Sequence, residues 1–492
     1  MPMRPTIRRS GEDGMALVLA MFMVLIVSLV GAAAMVTTRT ETLSSMQYRT
    51  TSQARYAAES GVHHAVNYLM NDYAEPVTAA QLASFAQTQS AVQFDGSDIV
   101  LSSDDGTDGN YPVEATQTAF HDAVTGGLNV SNGTASYTAV ARLRSIRSIT
   151  DAFSGTPTTA QTWEITGIGS VGDNADVEVS VVLEEPVVPL FRYAAFATAT
   201  GCGAMSFAGG ASTDSYDSTA ALAGGVPVAS PSGGNVGTNG NVTEAGNTTT
   251  INGSLSTPRA GVGPCSSAAV TALTLAGGAS VEDGLVELPQ NVAYPTPETP
   301  SPLPPTTGTG FSKNSGCPAG LAHCAVSVDG ATITPPTSTS VITMGNVALT
   351  AQAELHLGAG IYVVNSISMA GNSRIIVDSG PVIFKVVGTD QATPIDLTGG
   401  AISNSGFDPT DLQFVYGGTG LVKLAGGAQN SALVYAPNAS TSLTGNSDFY
   451  GALVTRLLTA TGGVSIHYDR RLQTTMLTAG NTTMSKFTWR AF

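Results

Sequence analysis

The chain has 492 residues, and only 11% of them are Asp, Glu, Lys or Arg. That is under half the roughly 25% of ordinary soluble domains and excludes a coiled coil, a basic nucleic-acid binder and a charge-rich disordered tail. Its 20 basic and 36 acidic residues leave a net charge of −16, a field that repels phosphate backbones and anionic lipid surfaces, so nucleic acid is not an expected partner. With 55 glycines, 25 prolines and 42% hydrophobic but only 6% aromatic residues, the apolar content is mostly Ala and Val. This suits short, closely stacked strands in a chain long enough for about three domains.

From Met15 to Val36 no charged residue interrupts the sequence MALVLAMFMVLIVSLVGAAAMV. As a helix this run spans roughly 33 Å, about one hydrocarbon core. Arg4, Arg8 and Arg9 precede it and hold the short N-terminal tail in the cytoplasm, sending everything after Val36 outward. A signal peptide cut after Ala32-Ala33-Ala34 is the competing reading, but the run exceeds a signal core of about 7 to 15 residues. Helical patterning also continues beyond it: Leu43, Met46, Ala54, Ala58, Val62, Val66 and Leu69 mark one apolar stripe,. Arg8-Arg9 is a weak twin-arginine signal, and a plain anchor with an unrelated stalk is a further alternative.

A single helix, wholly apolar and then amphipathic, suits a subunit that waits in a membrane before packing into a filament core. Gly14-Met15, the apolar run, Thr37-Thr38-Arg39-Thr40-Glu41 and the stretch from Gln53 to Val62 (QARYAAESGV) resemble the N-terminal region of PilX-type minor pilins of type IV pili. The resemblance covers about residues 10 to 70. It implies cleavage by a prepilin peptidase between Gly14 and Met15, methylation of the new terminus, storage in the inner membrane with the body periplasmic, and assembly with other pilins and minor pilins into a pilus or pseudopilus at the cell surface. Two residues depart from the major-pilin pattern, which has Phe and Glu where Met15 and Leu19 stand. The family's Glu neutralises a neighbour's buried terminal ammonium, which Leu19 cannot do.

Residues 73–110 are polar, and SDDGTDGN with Asp104, Asp105 and Asp108 reads as an acidic surface loop, since its spacing misses the calcium-loop pattern. Ala135 to Ile146 and Trp163 to Leu183 carry strand signals, the second folded about Gly172-Asp173-Asn174 as a hairpin,. Beyond Pro186 a motif recurs: an apolar residue, Ala or Thr, Gly, Gly or Asn, then a small residue. Its copies start at Phe207, Leu275, Met369, Leu397, Leu424, Leu443 and Ala460. Brief strands with glycine turns, repeated this closely, predict a parallel β-solenoid, with a β-sandwich as the alternative. Stacked turns place equivalent side chains about 4.8 Å apart, where like charges repel and Thr, Ser and Asn can hydrogen-bond, which accounts for the scarcity of charge.

Asn291 to Gly310, with six prolines between 295 and 305, is expected to be an extended excursion, partly polyproline II. Cys317 and Cys324 bracket PAGLAH, a loop that a disulfide would close with roughly 2 to 3 kcal/mol of stabilisation. Export leaves all four cysteines in an oxidising space, so Cys317–Cys324 and Cys202–Cys265 are the expected pairs. His323 lies beside Cys324 without a paired CxxC, so no metal is expected, and no cofactor motif is visible.

The expected fold class is therefore α+β and all-β. A cytoplasmic leader (1–14), a transmembrane and amphipathic pilin helix (15–72) and a pilin-like β head (73–187) precede a β-solenoid (192–486) with its excursion at 291–310. Ser215-Tyr216-Asp217-Ser218, Val236 to Gly253, and Tyr450 through Asp469 resemble uncharacterised β-helical domains that follow PilX-type N-termini, and that resemblance implies no activity. The expected function is a non-enzymatic minor pilin that displays its solenoid, at a tip for adhesion to a surface glycan or host ligand. The alternative is an envelope enzyme acting on polysaccharide through Asp214, Asp217, His467, Asp469, Arg470 and Arg471, whose plainer reading is turn residues and a solvated strand end. His63-His64 reads as an exposed or interface pair.

Overall fold

The computed structural model describes residues 13–130, 133–150, 157–172, 176–425, 430–480 and 482–491. The expected leader up to residue 12, the turn at Asp173-Asn174 and the glycines of the Leu424 motif lie outside the described residues. A long N-terminal helix, Asp13–Asn71, is followed by a strand-rich body, with small antiparallel sheets besides. The chain divides into two compact units, one comprising the chain to Ile149, Pro157–Pro186 and the stretch from Gly480, the other mainly Val187–Ala479.

The helix has 59 residues and is roughly 88 Å long. It runs unbroken through Ala32–Ala34, and where the apolar run gives way to threonines their hydroxyls bond back within the helix. Thr37 Oγ1 donates to the Ala33 carbonyl at 2.9 Å, Thr38 to Ala34 at 2.8 Å and Thr40 to Val36 at 2.8 Å. These polar side chains are thus satisfied without competing with the helix.

The first unit packs the second half of this helix on an antiparallel sheet ordered Val100–Ser102, Gly133–Thr150, Pro157–Val171, Asp176–Glu184, Thr483–Ala491. Alternation turns Ala139, Ala141 and Leu143, then Val177, Val179 and Val181, onto the helix side, where Ala54, Ala58, Val62 and Ala65 are buried,. The approach is unusually close because both partners are small. A Cβ built on Gly169 would lie 2.0 Å from the Ala54 carbonyl oxygen, and one on Gly167 2.2 Å from that of Ala58. Gly169→Val is therefore expected to destabilise this unit by about 3 kcal/mol through overpacking. Both tryptophans, Trp163 and Trp489, belong to the unit, so thermal unfolding followed by Trp fluorescence measures the effect; an unshifted transition would contradict the close packing.

The chain leaves this sheet after Glu184 and returns to pair its last strand beside the same one, Thr483 opposite Glu184 and Ala491 opposite Val177. The first residues of that strand fall within the span expected of the body. The second unit is thus inserted between two neighbouring strands, and its ends leave together, Val187–Pro189 antiparallel to Leu477–Ala479.

Pairing in the second unit is almost wholly parallel. Gly360–Met369, Val382–Val386, Leu412–Tyr416, Asn430–Thr444, Val422–Ala425 and Ile395–Asp396 close a ring of six, because the two long strands each pair first with one set of neighbours and then with another. A longer succession runs from Leu285–Glu287 through Leu255–Thr257, Val236–Thr238 and Ala195–Ala197 to Asp448–Thr461 and Asn430–Thr444. It continues through Leu412–Tyr416, Val382–Val386, Gly360–Met369 and Val341–Thr350 to Gly308–Ser312. The chain enters this succession in its middle, at Ala195, works out to one edge, crosses to the other and works back until its last long strand lies against its first.

The crossing is made by the Pro-rich segment. Ten strand spacings of about 4.8 Å require roughly 48 Å, and twenty residues in polyproline II reach roughly 62 Å. The segment is pinned along its course. Val292 exchanges hydrogen bonds with the Asn239 side chain at 2.8 and 2.9 Å, the Tyr294 ring packs 4.8 Å from Phe196, Tyr435 Oη donates to the Pro295 carbonyl at 2.7 Å, and Asn346 N donates to the Thr307 carbonyl at 2.8 Å.

The recurring motif occupies equivalent places. Leu424 pairs with Leu443, Leu443 with Ala460, Ala460 with Phe207, and through Glu244 the file reaches Leu275. The glycines that follow turn the chain with φ of +67° and +87° at Gly209 and Gly210, and +84° and +73° at Gly462 and Gly463, a conformation that favours glycine. Hydroxyls stack between paired residues, Ser212 on Ser465 at 3.1 Å and Thr250 on Ser280 at 3.0 Å.

Candidate functional site

Gly14 and Met15 lie at the start of the N-terminal helix. Every large apolar side chain from Met15 to Val36 is 55% to 75% exposed, with Leu19 among them; of the expected stripe Leu43 and Met46 are exposed too, and only from Ala54 on is it packed in the first unit. The helix is long and apolar enough to cross a membrane, with a mean hydropathy of 2.7 in its most apolar window. Such a division gives one element two surfaces: an internal one that carries a head, and a bare one that is stable only in lipid or among other apolar helices. Arg55 and Glu59, in the most specific stretch of the sequence, form an i, i+4 ion pair at 2.9 Å. His64 stacks on Tyr137 at 5.3 Å, and His63 is exposed.

Of the six residues considered for catalysis, the structure joins two by their side chains. Asp214 and His467 are register partners on adjacent parallel strands, and His467 Nδ1 lies 2.5 Å from Asp214 Oδ1. Nε2 lies 3.3 Å from Asp448 Oδ1, and the ring stacks on Tyr450 at 4.5 Å. Burial alone would lower the imidazolium's pKa, but hydrogen bonds and charge from both carboxylates outweigh it and raise it to about 9,. In return His467 holds the Asp448 carboxyl below its usual range. A histidine kept protonated at neutral pH and engaged at both nitrogens is a clasp between strands and a poor general base.

The other four are held apart from it. Asp217 accepts from Thr219 N at 2.9 Å and from its hydroxyl at 2.5 Å, which lowers its pKa. Asp469 is buried and its pKa is raised by desolvation; Oδ1 accepts from Arg471 N at 3.1 Å and Ser218 N at 3.3 Å. Arg471 Nη1 donates to Asp408 at 2.8 Å, and Arg470 is exposed. The space beside Asp448 is about 10 Å³, room for a single water. Among the described residues no group of three or more His, Cys, Asp or Glu is placed to hold a metal.

A larger cavity, about 670 Å³, lies between the Pro-rich segment (Pro295 to Pro300, Leu303) and the strands carrying Lys385, Val386 and Val415. Cys202 is joined to Cys265 and Cys317 to Cys324; Cys317, Leu321 and Cys324 pack against the core.

Sequence reasoning missed Asp448, Tyr450 and Glu244. The first two carry no spacing signal, because strand register brings them to His467. Glu244 did carry one: Glu244-Ala-Gly-Asn is a further copy of the motif with a carboxylate in its apolar position. It pairs with Phe207 and Leu275, is fully buried, and neither oxygen has a hydrogen-bond partner among the described residues; desolvation raises its pKa to about 8.

Two family models match the chain, PilX N-terminal over residues 13–63 and a domain of unknown function (DUF7305) over residues 341–475. The N-terminal helix is thus similar to the N-terminal region of PilX-type proteins over residues 13–63. No curated protein matches. Among solved structures, the competence-associated pilin ComZ from Thermus thermophilus aligns with 90% of this chain and 98% of its own at 14% identity and a TM-score of 0.25, too low for the likeness to carry an argument.

Proposed function

We propose that the protein is a low-copy minor pilin of a type IV pilus or related pseudopilus, processed between Gly14 and Met15, that displays its second unit as a β-solenoid at the filament tip. The observation that carries this reading is the PilX N-terminal match over residues 13–63. It falls on the helix whose first half is bare and whose second half is packed into a head. The solenoid is supported by the unbroken parallel succession of strands and by the motif's single file. Prepilin peptidase and the inner membrane are the partners before assembly, with the body in the periplasm; other pilins are the partners afterwards, and a surface glycan or host ligand is the target of the displayed domain.

The tip position rests on two arguments. Leu19 cannot neutralise the terminal ammonium of a neighbouring subunit, so repeated insertion within the shaft is disfavoured. An inserted unit running from Val187 to Ala479 is also too bulky to recur along a tight helical rod. Expression with prepilin peptidase is expected to give a mature N-terminus at Met15, and gold labelling of the second unit on intact cells is expected at filament ends. A terminus at Met35 would refute the processing, and uniform label along the shaft would refute the tip position.

A further inference from the structure

The parallel succession ends on strands that have a neighbour on one side only. Leu273–Ala276 is bonded to Val242–Ala245, Ser280–Val281 to Thr250–Ile251, and Leu285–Glu287 to Leu255–Thr257. The Gly261–Gly263 segment covers the other side of Leu273, with Gly263 N donating to the Leu273 carbonyl at 2.9 Å, but no described strand pairs with the other side of Ser280–Val281 or Leu285–Glu287. Gly284 O and Leu288 N bond inward, to Leu255 and Thr257, so the alternation of the strand leaves the amides of Leu285 and Glu287 pointing outward.

The side chains do not protect this edge. Leu275, Leu285 and Val286 are 41%, 40% and 45% exposed. At the opposite edge, by contrast, the disulfide-closed segment lays Cys317, Leu321 and Cys324 on the core. Charge narrows the choice of occupant. From Leu273 to Gln290 the sequence carries Glu282, Asp283 and Glu287 and no Lys or Arg. A second copy meeting this edge about a two-fold axis would set these carboxylates against themselves.

We infer that this edge docks an extended strand of another protein, rich in Lys or Arg alternating with apolar residues, by β-augmentation. The incoming main chain pairs with the outward amides of Leu285 and Glu287; on one face its apolar side chains cover Val286, and on the other its cations meet Glu287 and the Glu282-Asp283 turn that precedes the strand.

The full-length protein in detergent, titrated with a short peptide alternating Val and Lys, tests this. Hydrogen exchange is expected to slow at Leu285 and Glu287, and a peptide alternating Val and Glu is expected not to bind. Leu285→Pro removes an outward donor without altering the charge or an inward bond, and should weaken binding about tenfold. The surface variant Glu282→Gln/Asp283→Asn/Glu287→Gln should weaken it as well and flatten its salt dependence. Protection spread over the whole acidic protein, or equal binding by both variants, would overturn the inference. Self-association of the protein through this edge would also overturn it, in favour of a second copy as occupant.

Discussion

Glu244→Met is expected to raise the melting temperature of the second unit most at pH 8 to 9 and by less near pH 4, where it removes only the unpaired neutral carboxyl. The carboxyl of Glu244 is fully buried, without a hydrogen-bond partner for either oxygen among the described residues, and desolvation raises its pKa from 4.5 to about 8. In the unfolded chain the group ionises as pH rises past 4.5, whereas in the folded protein it keeps its proton until about 8. Stability is therefore full below pH 4.5, falls between the two values and is lowest above pH 8. A shift of this size corresponds to roughly 5 kcal/mol. Met fills a similar volume without the polar atoms, so the slope disappears with the carboxyl. Both tryptophans lie in the first unit, so circular dichroism is the readout. Parallel curves of melting temperature against pH for the two proteins would show that Glu244 is solvated or paired.

Glu244 also shows what kind of feature is legible in such a sequence. A motif copy states that its first residue will stand in a file with the others, and the pairing of Phe207, Glu244 and Leu275 follows that rule. The long helix, its apolar stripe, the glycine turns and the extended Pro-rich segment are local features, and each left a local pattern. The order in which strands lie side by side did not. Nothing near Ala195 indicates that its neighbours are Val236 on one side and Leu453 on the other, because repeats specify that strands stack and leave the sequence of stacking to long-range packing. The return of Thr483–Ala491 to the first unit is hidden for the same reason, since its partner lies some three hundred residues earlier. The short apolar runs show the limit of pattern at single-residue level. Leu433-Val-Tyr pairs in step with Ala452-Leu-Val, but Phe414 faces Val434 and not Leu433.

His467→Ala is expected to cost the second unit roughly 3 kcal/mol near pH 6 through the lost imidazolium, a part that disappears as pH rises through 9 and leaves only the lost packing on Tyr450,. The folded pKa of His467 is raised from 6.5 to about 9, so its contribution is fully present below 6.5 and is lost as the pH passes the folded value. The position of the contact makes this a test of topology as well as of electrostatics. Asp214 lies on the fourth described strand of the second unit and His467 on a strand near its end, 253 residues apart; together with Asp448 they join parts of the parallel succession that are early and late in the chain. Losing the imidazolium leaves two carboxylates facing each other across that seam, so protection from hydrogen exchange should fall first at Ser212–Tyr216 and Ser465–Asp469. The strands around the Phe384 and Phe414 rings, stacked at 5.3 Å in the far half of the unit, should keep their protection. A pH-independent deficit would mean that the ring acts by packing on Tyr450 alone. Uniform loss of protection would mean that the seam has no stability of its own apart from the whole unit.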